Sequence, residues 1–151
     1  MKQSDTSPEY RIRNYKRGDY EGISKLWECT GLGNPRRGDD EKTIEKTIRM
    51  GGRLLVVEEM EHSRICGSSW MTFVGRRIHL HHFGISPDHQ GKGLAGKLLG
   101  KSLDYVKKKG YQVKIEVHRS NKKAISIYKK AGFEYLGDYD VYIIRDLLSL
   151  K

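Results

Sequence analysis

At 151 residues the chain is long enough to bury a core as one domain without disulfide or metal staples. Charged residues at 32% beside hydrophobics at 36% exclude a disordered chain, and no apolar run approaches the ~20 residues that a membrane helix needs. The formal net charge of +10 favours an anionic partner: nucleic acid, an acidic protein or a phosphorylated small molecule. The polar start MKQSDTSPEY lacks the apolar core of a signal peptide, so a cytoplasmic location is expected. Cys29 and Cys66 read as free thiols in a reducing compartment.

Residues 1–9 read as a loose lead-in and 10–151 as a single domain. Tyr10, Ile12 and Tyr15 predict a first strand ending at Lys16-Arg17-Gly18. Asp19 is placed to cap a helix that carries Tyr20, Ile23, Leu26 and Trp27 on one face and stops at Gly31. Residues 31–39 form a loop by their Gly, Asn and Pro content, and a second helix runs from about Asp40 to Gly51-Gly52. Three strands follow, at 53–59, 64–74 and 76–86, and Pro87 ends the last of them. Helical spacing returns from Gly91 to about Lys109, with Gly110 as its stop. Residues 111–117 alternate as a strand. Ser120 is placed to cap a helix with Ala124, Ile127, Tyr128 and Ala131 on one stripe, and residues 133–147 supply one or two final strands. The expected class is α/β (α+β): a mixed, mostly antiparallel sheet of six to seven strands flanked by about four helices.

The richest stretch is Phe83-Gly84-Ile85-Ser86-Pro87-Asp88-His89-Gln90-Gly91-Lys92-Gly93-Leu94-Ala95-Gly96. A strand ends, a turn follows, and glycines stand where a helix begins. The first amides of a helix lack intrahelical partners and carry partial positive charge, so a phosphate can approach where side chains are missing. Lys92 and Lys97 add mobile positive charge, and the chemistry suits a diphosphate. A Walker loop is excluded because Lys92 is followed by Gly93. A dinucleotide fingerprint is disfavoured because the glycines follow hairpin-like strands rather than the first strand of a βαβ unit.

Gln90-Gly91-Lys92-Gly93-Leu94-Ala95 resembles the Q/R-x-x-G-x-G/A motif of the GNAT family of N-acetyltransferases. Asn121, Ala124, Tyr128, Gly132 and Phe133 resemble the same family's N-x-x-A-x-x-x-Y-x-x-x-G-F helix, in the matching order. The resemblance implies an acetyl-CoA-dependent N-acetyltransferase acting on a primary amine. It implies a pyrophosphate held by the amides of Gln90, Gly91, Lys92, Gly93, Leu94, Ala95 and Gly96. It also implies a pantetheine arm paired along Phe83-Gly84-Ile85 and touched by Asn121, and a Tyr128 phenol that protonates the leaving thiolate. The strand at 111–117 is expected to splay away from the preceding one and leave a wedge.

An amine must be neutral to attack, so a base or a water path is required. Glu116 is the first candidate, and KIEVHRSN resembles the LEVR-x-S-N segment of ribosomal-protein alanine acetyltransferases within this family. His79 and His81 share a strand face and are the other candidates. His82 is expected on the opposite face, which together with the lack of a nearby acidic or thiol ligand argues against a metal site. The loop 31–39 and the turn at Gly137-Asp138-Tyr139-Asp140 are expected to flank the amine. Two rival readings share the composition: a basic nucleic-acid- or ribosome-binding module, and a non-catalytic coenzyme A sensor. The expected partners are acetyl-CoA and an amine, with no membrane, nucleic acid disfavoured, and a monomer or homodimer.

Overall fold

Consecutive buried hydrophobics in one strand dictate a layered architecture. The computed structural model describes residues 7–150; of the lead-in 1–9, residues 1–6 lie outside the described residues. Strands β1 (Tyr10–Asn14), β2 (Arg53–Glu59), β3 (Arg64–Phe73), β4 (Ile78–Ile85) and β5 (Val113–Ile115) form one sheet in that order. Pairing is antiparallel from β1 to β4, while β5 joins β4 in parallel. In β2, Leu54, Leu55, Val56 and Val57 are all buried, and side chains alternate along a strand, so both faces must be covered. Leu54 and Val56 pack with Trp70 and with Ile23, Leu26, Trp27 and Ile44 of α1 (Tyr20–Thr30) and α2 (Glu41–Arg49). Leu55 and Val57 share the opposite core with Leu98 and Leu99 of α3 (Leu94–Lys109) and Tyr128 of α4 (Lys122–Lys130). No helix among the described residues is long and apolar enough to cross a membrane.

The four expected helices are present, but the sheet has five strands rather than six to seven. Residues 133–147 form no strand; only a short 3₁₀ turn, Leu147–Ser149, follows α4. Their alternating pattern is strand-like, yet Tyr139 and Tyr142 are 79% and 91% exposed. A strand forms only against a partner that repays its ordering entropy, and β5 presents a ladder of three residues. β5 itself is shorter than the expected 111–117, since its pairing to β4 stops at Ile115.

Two caps also differ from expectation. Ser120 holds the His118 ring at 2.7 Å, and Asn121 caps α4 instead by accepting the amide of Ala124. Asp19 precedes α1 but does not cap it with its side chain. Its carboxylate turns back to Arg13, at 2.7 and 2.9 Å, and to the amide of Lys16. Arg13 also reaches Glu58, at 2.9 Å, and so ties β1, β2 and the start of α1 into one ion network.

That network sets the acid sensitivity. Hydrogen bonds from Arg13 first, then Arg11, hold the Glu58 carboxyl down at about 2. A depressed carboxyl pKa contributes stability that is full above its unfolded value near 4.5 and is lost as pH falls toward 2. In Arg13→Met the urea midpoint at pH 7 is expected to drop by the equivalent of about 3 kcal/mol, because Asp19 loses its guanidinium and Glu58 keeps only the exposed Arg11. The slope of stability between pH 4.5 and 2 should flatten in the same variant, as read by urea denaturation at stepped pH.

Candidate active site

The sheet opens toward its β5 edge. β4 and β5 pair at Ile78↔Val113, His79↔Lys114 and Leu80↔Ile115 and then part, while β4 continues to Ile85 beside β3. Just past the last β5 pair, β4 carries an extra residue. Ser68 opposes Gly84 and Trp70 opposes His81, so His82 and Phe83 together face Ser69 alone. This is a β-bulge, and His82 adopts the left-handed conformation, φ +47°, that it requires. A non-glycine residue pays for that conformation only when its surroundings over-determine it. Here the Trp27 indole donates to Ser68 Oγ at 2.9 Å, and Ser68 Oγ donates to the His82 carbonyl at 2.7 Å. Trp27 and Trp70 stack beneath the bulge, with ring centroids 5.5 Å apart.

Below the parting lies the glycine turn. A 3₁₀ turn, Pro87–His89, carries the chain out of β4, and the Gln90 side chain donates to the Ile85 carbonyl at 2.9 Å. The Gln90 amide is itself occupied by the Pro87 carbonyl, so the free amides begin at Gly91. Gly91 and Gly93 have φ of +77° and +76°, and Gly93 is the N-cap of α3 without any side-chain cap. A side chain begun at Gly91, Gly93 or Gly96 would meet no neighbouring atom within 4 Å, so open space stands before the first amides of α3. Lys92 and Lys97 line a cavity of about 350 Å³ beside it, together with Tyr10 and Leu94. This cradle fits a diphosphate. Leu94 itself is buried and anchors the helix start in the core.

The expected Phe83-Gly84-Ile85 segment is the part of β4 without a β5 partner. Tyr128 packs edge-on against Phe83 and Phe133, with centroids 5.7 Å away in each case. Burial pushes its phenol up to about 12, which keeps it protonated at neutral pH. Asn121 spends its carbonyl oxygen on the α4 cap, and its amide NH2 makes no hydrogen bond among the described residues. Glu116 follows β5 directly, 43% exposed in its side chain and 3.4 Å from Lys114. No hydrogen bond or ion pair joins Glu116 to Tyr128.

The histidines differ most from expectation. The bulge turns His82 onto the same side as His81, and both rings pack against Trp70, at 4.7 and 5.0 Å. Their Nδ1 atoms are 2.6 Å apart, and His81 Nε2 is 3.2 Å from Thr72 Oγ1. An acidic group is present after all: Asp39 Oδ1 lies 3.0 Å from His82 Nε2, although off the line of a hydrogen bond. Asp39 belongs to the loop 31–39, which leans on the bulge. A side chain begun at Gly33 would strike the Trp27 ring and crowd His82, and one begun at Gly84 would strike Leu32. The Gly137–Asp140 turn, expected on the other flank, is exposed. Among the described residues the group of donors close enough to share a metal is Glu59, Glu61 and His62, at the end of β2 and outside this site.

Residues 20–133 match the model of the family described as the acetyltransferase (GNAT) family. An acetyltransferase of Yersinia pestis is 29% identical over 124 residues, which is 82% of this chain and 86% of the relative. A GNAT-family acetyltransferase structure from Staphylococcus aureus superposes with a TM-score of 0.76 at 16% identity, covering 87% of this chain and 89% of its own. The yncA structure from Salmonella typhimurium, solved with its cofactor acetyl-CoA, gives 0.69 at 24% identity, covering 83% and 79%.

Filling the cradle separates its backbone from its fold. Gly93→Val is expected to cost about 1–2 kcal/mol, since a left-handed residue loses its glycine. It should also abolish stabilisation by acetyl-CoA, while Gly100→Ala, on an open turn of the same helix, keeps it. Thermal melts with and without the ligand read both effects.

Proposed function

Because the chain belongs to the GNAT acetyltransferase family, we propose that it transfers the acetyl group of acetyl-CoA directly to a primary amine, with residues 10–151 acting as one catalytic domain. The observation that carries this is the parting of β4 from β5 directly above the glycine cradle. The β4 edge left free by β5 runs to Ile85, and the free amides of the α3 start follow from Gly91, an order that suits a ligand with a diphosphate at one end and a long amide-bearing arm at the other. The amides of Gly91, Lys92, Gly93, Leu94, Ala95 and Gly96 hold the pyrophosphate, helped by the charge of Lys92 and Lys97. The Gln90 side chain fixes that turn to the end of β4. The edge at 83–85 and the free amide of Asn121 hold the arm.

The thioester, when bound, supplies an acyl carbon with a good leaving group. Glu116, at the mouth, draws in the ammonium and takes the proton it must lose. Tyr128 donates its phenolic proton to the departing sulfur and recovers one from solvent. A phenol pushed up to about 12 is a poor spontaneous acid in water, but a forming thiolate in the same apolar surroundings is a stronger acceptor than bulk water. Protein N-termini, lysines and small polyamines all qualify as the amine.

The test is thermal denaturation with acetyl-CoA, coenzyme A and ATP. At 100 times its dissociation constant acetyl-CoA should stabilise the fold by ~2.7 kcal/mol, a shift of a few degrees that ATP does not give. No shift at millimolar acetyl-CoA contradicts the assignment. Tyr128→Phe should keep the shift and lower turnover about 100-fold, measured as thiol release over a panel of peptides and polyamines.

A further inference from the structure

Thr72, His81, His82 and Asp39 form a chain of polar contacts along the α1/α2 face of β4, and their atoms fix its direction. A carboxylate 3.0 Å from His82 Nε2, although off the line of a hydrogen bond, favours the tautomer with the hydrogen on that nitrogen. In a neutral ring His82 Nδ1 is then an acceptor. His81 Nδ1, 2.6 Å away, must therefore be the donor. His81 Nε2 is left with a lone pair, and the Thr72 hydroxyl donates to it at 3.2 Å. All the hydrogens run one way, from Thr72 to Asp39.

We propose that this chain is a proton relay for the amine, with His81 Nε2 as its point of entry and with His82 and Asp39 as positioning residues that keep that nitrogen unprotonated. The proposal rests on the acetyl-transfer reading above. As the C–N bond forms, the amine nitrogen gives its second proton to His81 Nε2, and the Thr72 hydroxyl turns from donor to acceptor. His81 Nδ1–H passes to His82 Nδ1, so the positive charge comes to rest beside the Asp39 carboxylate. The electron pair of the broken C–S bond leaves on sulfur, which takes the Tyr128 proton. After release the hop reverses: His82 Nδ1 returns its proton to His81 Nδ1, and His81 Nε2 gives up its own to solvent, which restores the starting tautomers. With the first ammonium proton shed through Glu116, two protons leave the amine and one enters the thiol, so one is released per turnover.

The relay explains why three histidines stand together. His81 alone is a weak base: burial, then His82 and His79, pushes it down to about 3. Burial also lowers His82, but Asp39 opposes that. The pair therefore takes a proton more readily than its entry residue would. The other charged groups facing this row are His79 on β4, whose ring centroid is 5.2 Å from that of His81, and Lys114 and Glu116 from β5. The strained φ of His82 is accounted for too, because only the bulge brings successive rings of one strand onto one side.

Histidine side-chain nitrogen NMR tests this without knowing the amine. In the full chain one ring, removed by His81→Gln, should be the Nδ1–H form with a free Nε2. A second ring, removed by His82→Asn, should be the Nε2–H form; asparagine tolerates the left-handed position, so the fold is retained. On acidification the first proton taken by the pair should appear on His82. Asp39→Asn should move that titration at least one pH unit lower while leaving the acetyl-CoA melting shift intact. With any amine returned by the panel, the acid limb of kcat/KM should move by the same amount with KM for acetyl-CoA unchanged, which a merely structural loss would not do. An Nε2–H form at His81, or a His82 titration unmoved in Asp39→Asn, overturns the relay. If those hold while acetyl-CoA gives no melting shift in the wild-type chain, the relay stands as a structural chain and its catalytic role falls with the acetyl-transfer reading.

Discussion

The extra residue in β4 is the constraint on which the rest of the site depends. A strand that stayed in register would carry its β5 pairing past Leu80 and close the opening; instead pairing ends there and the bulge begins at His82. The cost of a left-handed histidine is met by the Trp27–Ser68 hydrogen bonds, the stacked indoles and the Asp39 carboxylate. Those supports come from α1, β3 and the loop 31–39, so the helical layer on one face is committed to holding a single distortion.

The opposite layer has a different task. α3 and α4 bury Leu98, Leu99 and Tyr128 against the sheet, and in doing so they fix the two helix starts beside the site. Gly93 begins α3 without a side-chain cap, while α4 is capped by Asn121. The uncapped end is the one that faces open space. Helix starts are usually capped because bare amides are costly, so leaving these bare suits an anion that completes them.

Much of this was legible in the sequence. The short apolar run at 53–59 and the glycines after Ile85 mark β2 and the approach to α3, because local rules govern both. The two motifs that resemble the GNAT family fall on the β4–α3 turn and on α4. What local pattern cannot show is a partner. Residues 133–147 alternate well, but a strand needs a neighbour, and β5 is too short to be one. Alternation puts His82 on the wrong face because it assumes an unbroken register, and one inserted residue reverses every face beyond it. Asp39 was invisible as a histidine partner because 43 residues of sequence separate it from His82. Asp19 reads as a cap from its position alone, yet the Arg13 guanidinium is a stronger partner than helix amides.

The central claim is that acetyl-CoA lies in the opening between β4 and β5 with its diphosphate on the cradle. Hydrogen–deuterium exchange with and without saturating acetyl-CoA tests it most directly. The account predicts new protection confined to two stretches, residues 83–85 and 91–96, with the paired strands β1 to β3 unchanged. Protection elsewhere on the surface with 83–96 exchanging as before, or no protection at all, would contradict it.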